Sequence, residues 1–261
     1  MTKDDLIFFK NWFSDYCKSF YSSNREDQRN IRLKEVHTFN VCENIIEIGR
    51  ELSLSDSEMM LAETVALFHD IGRFPQYVKY KTFVDSISVN HSLLGAQTLL
   101  EEKTLQNLPE DEQELIIQAV RFHNAFSIPK IEKEDIVFFI KLIKDADKLD
   151  IWRVFIEYYE SPEENRASAV GLGLPDTTDY SEEVLLNIFK KKMASLSKVK
   201  TLNDFKIMQL SWVYDLNFRT SFRLLMERNY IERIVSKLPK TEEIHRASAY
   251  LKEFVYSKLK I

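Results

Sequence analysis

The chain has 261 residues, 44% hydrophobic and 30% charged, enough length and apolar content to bury a core without a covalent staple. Its 36 Lys and Arg against 41 Asp and Glu leave a net charge of -5, so the basic footprint of a general nucleic-acid binder is missing. A nucleotide substrate, which needs only a few local cations, stays open.

Five Gly and six Pro in the whole chain argue for long helices joined by short loops, and the expected class is all-α. Met1 to Asp5 does not read as a signal peptide, and no 18-residue apolar run exists. Cys17 and Cys42 are too few and too ill-spaced for a disulfide framework or a thiolate site. A cytoplasmic location with no membrane association is expected.

Leu6 to Tyr21 is apolar and aromatic at helical spacing, and Ser22-Ser23-Asn24 reads as a loop. Gln28 to Leu52 is a second helix with the stripe Val41, Ile45, Ile48 and Leu52, and His37 precedes that stripe on the same face. After a turn with Ser55 or Ser57 as N-cap, a helix carries Met59, Ala62, Val65, Ala66 and His69 and is apolar nearly all round. Gly72 is expected to end it in the left-handed conformation, with Pro75 preventing resumption. Arg73 to Val89 reads as a polar and aromatic loop.

Ser88 or Asn90 then caps a helix with His91, Leu94, Gly95 and Thr98 on one face. Glu110 to Asn124 carries Ile116, Ala119, Val120 and His123 on a stripe. The next helix places Ile136, Ile140, Ile143 and Asp147 on one face and continues through Tyr158. Ser161 to Ser181, with Pro162, Gly171, Gly173 and Pro175, is a long loop or a short hairpin and the best boundary. Beyond it Glu182 to Ser195, Asp204 to Asn229 and Thr241 to Lys260 read as helices. The expected division is residues 1–27 as an N-terminal helix on the core, 28–160 as the main domain and 161–261 as a helical extension. The apolar residues between Ser211 and Tyr230 cover more than one helix face, so they should pack on the core, and part of that surface is a candidate homodimer interface.

His37, His69, Asp70, His91, His123 and Asp147 are the chemistry-bearing residues of five successive helices. Any one of them alone is an ordinary core histidine or a capping aspartate. Together they point to a metal site assembled from several helices, because imidazole nitrogens and carboxylate oxygens suit borderline divalent metals. Fe, Mn, Co, Ni and Zn fit such donors alike, so one or two divalent metals of unspecified identity are expected. His245 reads as a surface residue.

Val36-His37-Thr38, His69-Asp70-Ile71-Gly72, Asn90-His91-Ser92, Phe122-His123-Asn124 and Asp145-Ala146-Asp147-Lys148-Leu149-Asp150 resemble the HD superfamily of metal-dependent phosphohydrolases. The resemblance spans about Glu35 to Tyr158. It implies an all-α HD-domain helical bundle, on which the C-terminal segment is expected to pack from its own apolar residues. It also implies that His37, His69, Asp70 and Asp147 hold one metal, while His91 and His123 hold a second bridged by Asp70. Asp147 is preferred to Asp145 on the family pattern, and helical spacing from Ile143 agrees. The chain lacks the Gly-Tyr-Pro extension of cyclic-di-GMP phosphodiesterases and the acidic pair of alarmone hydrolases.

A pair of metals about 3.5–4 Å apart can present hydroxide to a phosphoester near neutral pH. Cations must then hold the remaining phosphoryl oxygens. Arg73 and Lys148 are the first candidates, each within a few residues of a ligand, and Lys79 and Lys81 come second. The expected activity is hydrolysis of a small phosphorylated substrate such as a nucleotide. The alternatives are a di-iron oxygenase of the same superfamily and a non-catalytic nucleotide-binding sensor.

Overall fold

The computed structural model describes residues 1–162, 164, 166–170 and 172–260. Among the described residues every regular element is helical and no strand occurs, in line with an all-α HD-domain bundle. No helix among them is long and apolar enough to cross a membrane. The chain forms two compact units, Met1–Asp150 with Glu164–Val170, and Ile151–Glu163 with Gly171–Ile261.

In the first unit the helices are α1 (Lys3–Ser19), α2 (Arg25–Glu51), α3 (Asp56–Phe68), α4 (Arg73–Tyr80), α5 (His91–Glu101), α6 (Glu110–Phe122) and the first part of α7 (Glu134–Glu160). Their starts are written in the sequence. Thr2 with Asp5, and Ser55 with Glu58, form capping boxes that satisfy orphan amides at both ends of the motif. Asn24 and Asn90 each accept from two amides at the starts of α2 and α5.

Helix α3 is the hub. Leu61, Ala62 and every residue from Thr64 to Phe68 are buried, and α3 packs against α1, α2 and α6. A helix so apolar all round can exist in water only if its neighbours cover every face. Helix α1 covers one side with Phe9, Phe13 and Cys17, and the Phe9 and Trp12 rings meet Phe68 edge-on at 5.5 and 5.7 Å. Truncating a fully buried phenylalanine such as Phe68 costs about 3–5 kcal/mol.

The structure corrects the reading of Gly72 to Val89. Gly72 has φ -67° and ψ -16°, in the right-handed region, so it does not end a helix by turning left-handed. It precedes α4, in which Pro75 sits in the first turn, where its missing amide hydrogen costs nothing. Gly72 is needed for a different reason. A Cβ there would lie 2.6 Å from the Gly95 nitrogen and closer still to the His91 carbonyl oxygen, so only glycine lets α5 approach this closely.

In the second unit lie α8 (Glu182–Phe189), α9 (Leu202–Ser211), α10 (Arg219–Glu227), α11 (Tyr230–Val235) and α12 (Glu242–Leu259). The single helix expected over Asp204 to Asn229 is broken twice. A 3-10 turn at Trp212–Asp215 leads to extended backbone at Leu216, and the Asn217 side-chain Nδ2 donates to the Asp215 carbonyl beside the break. Asn229 then adopts φ +54° and separates α10 from α11. Val213, Phe222, Leu224 and Leu225 are buried, and the Phe222 ring packs 6.2 Å from that of Phe254 on α12. Of the two readings of 161–181, the described residues form a loop with a 3-10 turn at Ser168–Val170; Gly171 lies outside them.

Candidate metal centre

Two of the histidines end helices. His69 follows the last residue of α3 and His123 the last of α6, both still in helical conformation. The final carbonyls of a helix lack intrahelical partners. In both cases the ring satisfies one of them: His69 Nδ1 donates to Ala66 O at 2.6 Å and His123 Nδ1 to Val120 O at 2.8 Å. A carbonyl can only accept, so Nδ1 carries the hydrogen. In the neutral ring the lone pair is then on Nε2, which faces inward.

The other two histidines are held by carboxylates. His37, in the middle of α2, has Nδ1 2.7 Å from Asp150 Oδ2 on α7. His91, first residue of α5, has Nδ1 2.7 Å from Asp85 Oδ2, in the 3-10 turn Asp85–Ile87 between α4 and α5. Ser92 donates to Arg121 O at 2.9 Å, tying the start of α5 to the end of α6 and bringing His91 to His123.

The four Nε2 atoms converge. His37 and His69 Nε2 lie 3.3 Å apart, and His91 and His123 Nε2 3.1 Å apart. Asp70, directly after His69, stands between the pairs. Its Oδ2 is 3.5 Å from His37 Nε2 and 3.7 Å from His69 Nε2. Its Oδ1 is 3.3 Å from His91 Nε2 and 3.8 Å from His123 Nε2. Asp147 Oδ1 joins the first pair at 3.1 Å from His37 and 3.6 Å from His69. Donors that share a metal at about 2.0–2.2 Å stand roughly 3–3.5 Å from one another. Two groups that could hold a metal result: His37, His69 and Asp70, and Asp70, His91 and His123. The six residues expected from the sequence are brought together, and His245 stays exposed on α12.

Lone pairs facing one another at this range repel unless a cation lies between them. All four rings and Asp70 are buried. Burial drives His123 down to about 3, with the neighbouring His91 and His69 rings adding to the push, and burial likewise lowers His91. Those rings stay neutral and available as ligands. For His37, burial and the Lys34 charge push down, but the hydrogen bonds to Asp147 and Asp150 outweigh them and raise it. Burial also works against the charged form of Asp70, yet Lys34, His69, Arg73 and His91 together hold it well below the usual carboxylate range. Asp147 is held low by His37 and His69 against the same burial penalty. Neutral His91 and His123 beside ionised Asp70 and Asp147 are in the protonation state that a divalent cation requires, and His37 would release its proton on binding one.

The cations are distributed unevenly. Lys34, one turn before His37 on α2, places Nζ 2.7 Å from Asp70 Oδ2. Arg73 places Nε 3.4 Å from Asp70 Oδ1, while its Nη1 donates to Phe83 O, Gln76 and Asp85 at 2.6, 3.0 and 3.0 Å. Both charges lie over the Phe83 ring. Lys148 Nζ reaches Lys144 O along its own helix at 3.4 Å. Lys79 lies over the Tyr80 ring, and Lys81 pairs with Asp27 at 2.8 Å. Tyr77 is buried, bonded to Asn30 and Asp27, which makes it a packing anchor.

Sequence reasoning missed Lys34, Asp85 and Asp150. Two of them had a signal: Lys34 is three residues before His37, and Asp150 three after Asp147, so each shares its ligand's helix face. Asp85 had none, because nothing local marks a loop carboxylate as the partner of a histidine six residues on.

Against known proteins, the HD domain family model matches residues 35–152. No curated protein and no solved structure gives a significant match. The match begins two residues before His37 and ends two after Asp150, so it encloses the six donors and the carboxylates that orient two of them. Residues 35–152 of this chain are an HD domain.

Proposed function

We propose that this site is the centre of a metal-dependent phosphohydrolase that cleaves a phosphoester or phosphoanhydride of a small molecule, with nucleotides as the leading substrate class. The observation that carries the reading is the placement of Asp70, whose two oxygens face two separate histidine pairs. A carboxylate so placed can bridge two metals. Bound divalent metals would supply a hydroxide near neutral pH and neutralise charge on the phosphoryl oxygens. His37, His69, Asp70 and Asp147 would hold one, and Asp70, His91 and His123 the other.

The chain's own residues account for the rest. The Nδ1 hydrogen bonds fix all four rings with Nε2 inward, so no ring reorganises on loading. Lys34 and Arg73 flank Asp70 on opposite oxygens and are the best-placed groups to hold phosphoryl oxygens that the metals leave exposed. Lys148, Lys79 and Lys81 remain candidates for the distal part of a larger substrate.

The test is metal analysis of the purified protein, followed by a phosphate-release screen over mononucleotides, dinucleotides, cyclic nucleotides and sugar phosphates. Metal-dependent release from one class is expected. A metal-loaded protein inert towards all of them, with a mixed-valent iron signal and oxygen-dependent turnover, would replace this reading with the oxygenase one.

A further inference from the structure

The four ligand rings are supported in two different ways. His69 and His123 bond to carbonyls three residues back in their own helices, so their orientation comes with the helix end. His37 and His91 depend on carboxylates from other segments. Asp150 is almost fully buried on α7, whereas Asp85 lies in a short turn with 29% of its side chain exposed.

Asp85 does more than meet one ring. Its Oδ1 accepts from Arg73 Nη1 at 3.0 Å and Gln76 Nε2 at 2.9 Å, and its Oδ2 from Asn124 Nδ2 at 3.2 Å. Asn124 directly follows His123. Gln76, fully buried, also donates to Ser88 Oγ and Val89 O, fastening the turn to α4. One carboxylate thus links α4, the turn, the first residue of α5 and the end of α6. Its hydrogen bonds and ion pairs reach neither His37 nor Asp147.

We infer that Asp85 is the positioning residue of the second centre: it orients His91 and, through Asn124, the end of α6 that carries His123, so it governs metal binding there and leaves the first centre alone. Asp150 has the corresponding role for His37. The inference rests on the two-metal reading of the site. It predicts that the two centres can be weakened independently by changing residues that touch neither metal.

The experiment is calorimetric titration of the chelator-stripped full chain with Mn²⁺, with stoichiometry checked by mass spectrometry. Wild type is expected to take two equivalents. Asp85→Ala should keep one at wild-type affinity and bind the other about 10–100-fold more weakly, the scale for losing a ligand's outer hydrogen-bond partner. Asp85→Asn, which retains an acceptor oxygen for His91 Nδ1, should recover part of that loss. In a His91→Ala background, Asp85→Ala should change nothing further, whereas Asp150→Asn should weaken the remaining equivalent. The retained first equivalent reports that the variant is folded. Two equivalents at wild-type affinity in Asp85→Ala, loss of both in Asp85→Asn, or an added effect of Asp85→Ala in the His91→Ala background would each overturn the inference alone. A single equivalent in wild type would overturn the two-metal reading, and the inference with it.

Discussion

Lys34 Nζ lies 2.7 Å from Asp70 Oδ2, with the lysine side chain 14% exposed and the aspartate 4%. Removing one partner of a buried ion pair strands the other charge and costs about 3–5 kcal/mol. Asp70 keeps Arg73 and the histidines as neighbours, so the lower end applies here. Lys34→Ala should therefore destabilise the metal-free protein by about 3 kcal/mol, read by urea unfolding. It should also keep its bound metal and lose about 2–4 kcal/mol of transition-state stabilisation in phosphate release, the scale for one preorganised donor. Unchanged turnover with metal in place would make Lys34 a purely structural charge.

Asp70→Ala should lose metal from both centres and abolish hydrolysis, because its two oxygens serve the two histidine pairs. His91→Ala or His123→Ala should lose one equivalent and keep the other. Metal counts per chain check this directly. Full metal content in Asp70→Ala would refute the bridging role.

Gly72→Ala places a methyl group against the backbone of His91 and Gly95. Backbone cannot swing aside as a flexible side chain can. Destabilisation at the upper end of overpacking, about 3 kcal/mol, is expected, together with weakened binding at the His91 centre. Thermal melting and metal titration measure the two effects. Wild-type stability would mean that α5 can shift outward at little cost.

The pH dependence of the metal-free protein follows from His91 and His123. Both are held below the ordinary histidine value of about 6.5, His123 at about 3. A group with a depressed folded pKa contributes its full stability above the unfolded value. That contribution shrinks as pH falls toward the folded one, by up to about 1.4 kcal/mol per pH unit for each ring. His37 is raised, so its contribution has the opposite sign and is lost only as pH rises above 6.5. Asp85, at about 2, and the depressed Asp70 and Asp147 change stability only below about pH 4. The melting temperature in chelator should therefore fall between pH 6.5 and 5, a window that isolates the two rings. A flat profile there would contradict their neutral burial.

The proposed substrate clamp can be tested at Arg73. Arg73 shares its guanidinium between Asp70 and the Phe83 to Asp85 segment, a geometry that an ammonium cannot reproduce. Arg73→Lys should lose phosphate release while metal content holds, and Arg73→Ala should lose more. Equal turnover in wild type and Arg73→Ala would remove Arg73 from the clamp.

The sequence alone placed most of the helices and named six candidate donors. Apolar period, capping residues and side-chain chemistry are local properties, so His37, His69, Asp70, His91 and His123 could be placed on buried faces, and Asp147 on the helix face of Ile143, from the sequence. Local signals failed where chain segments approach one another. Gly72 looked like a left-handed helix stop because its real constraint, the closeness of α5, is invisible along the chain. Helix α4 looked like a loop because Pro75 reads as a breaker until it is known to sit in a first turn. The carboxylate that orients His37 comes from 113 residues away, and the one that orients His91 from an irregular turn. Periodicity fixes which face a side chain takes on its own helix; which neighbour that face meets is set by packing, and only the tertiary structure decided it.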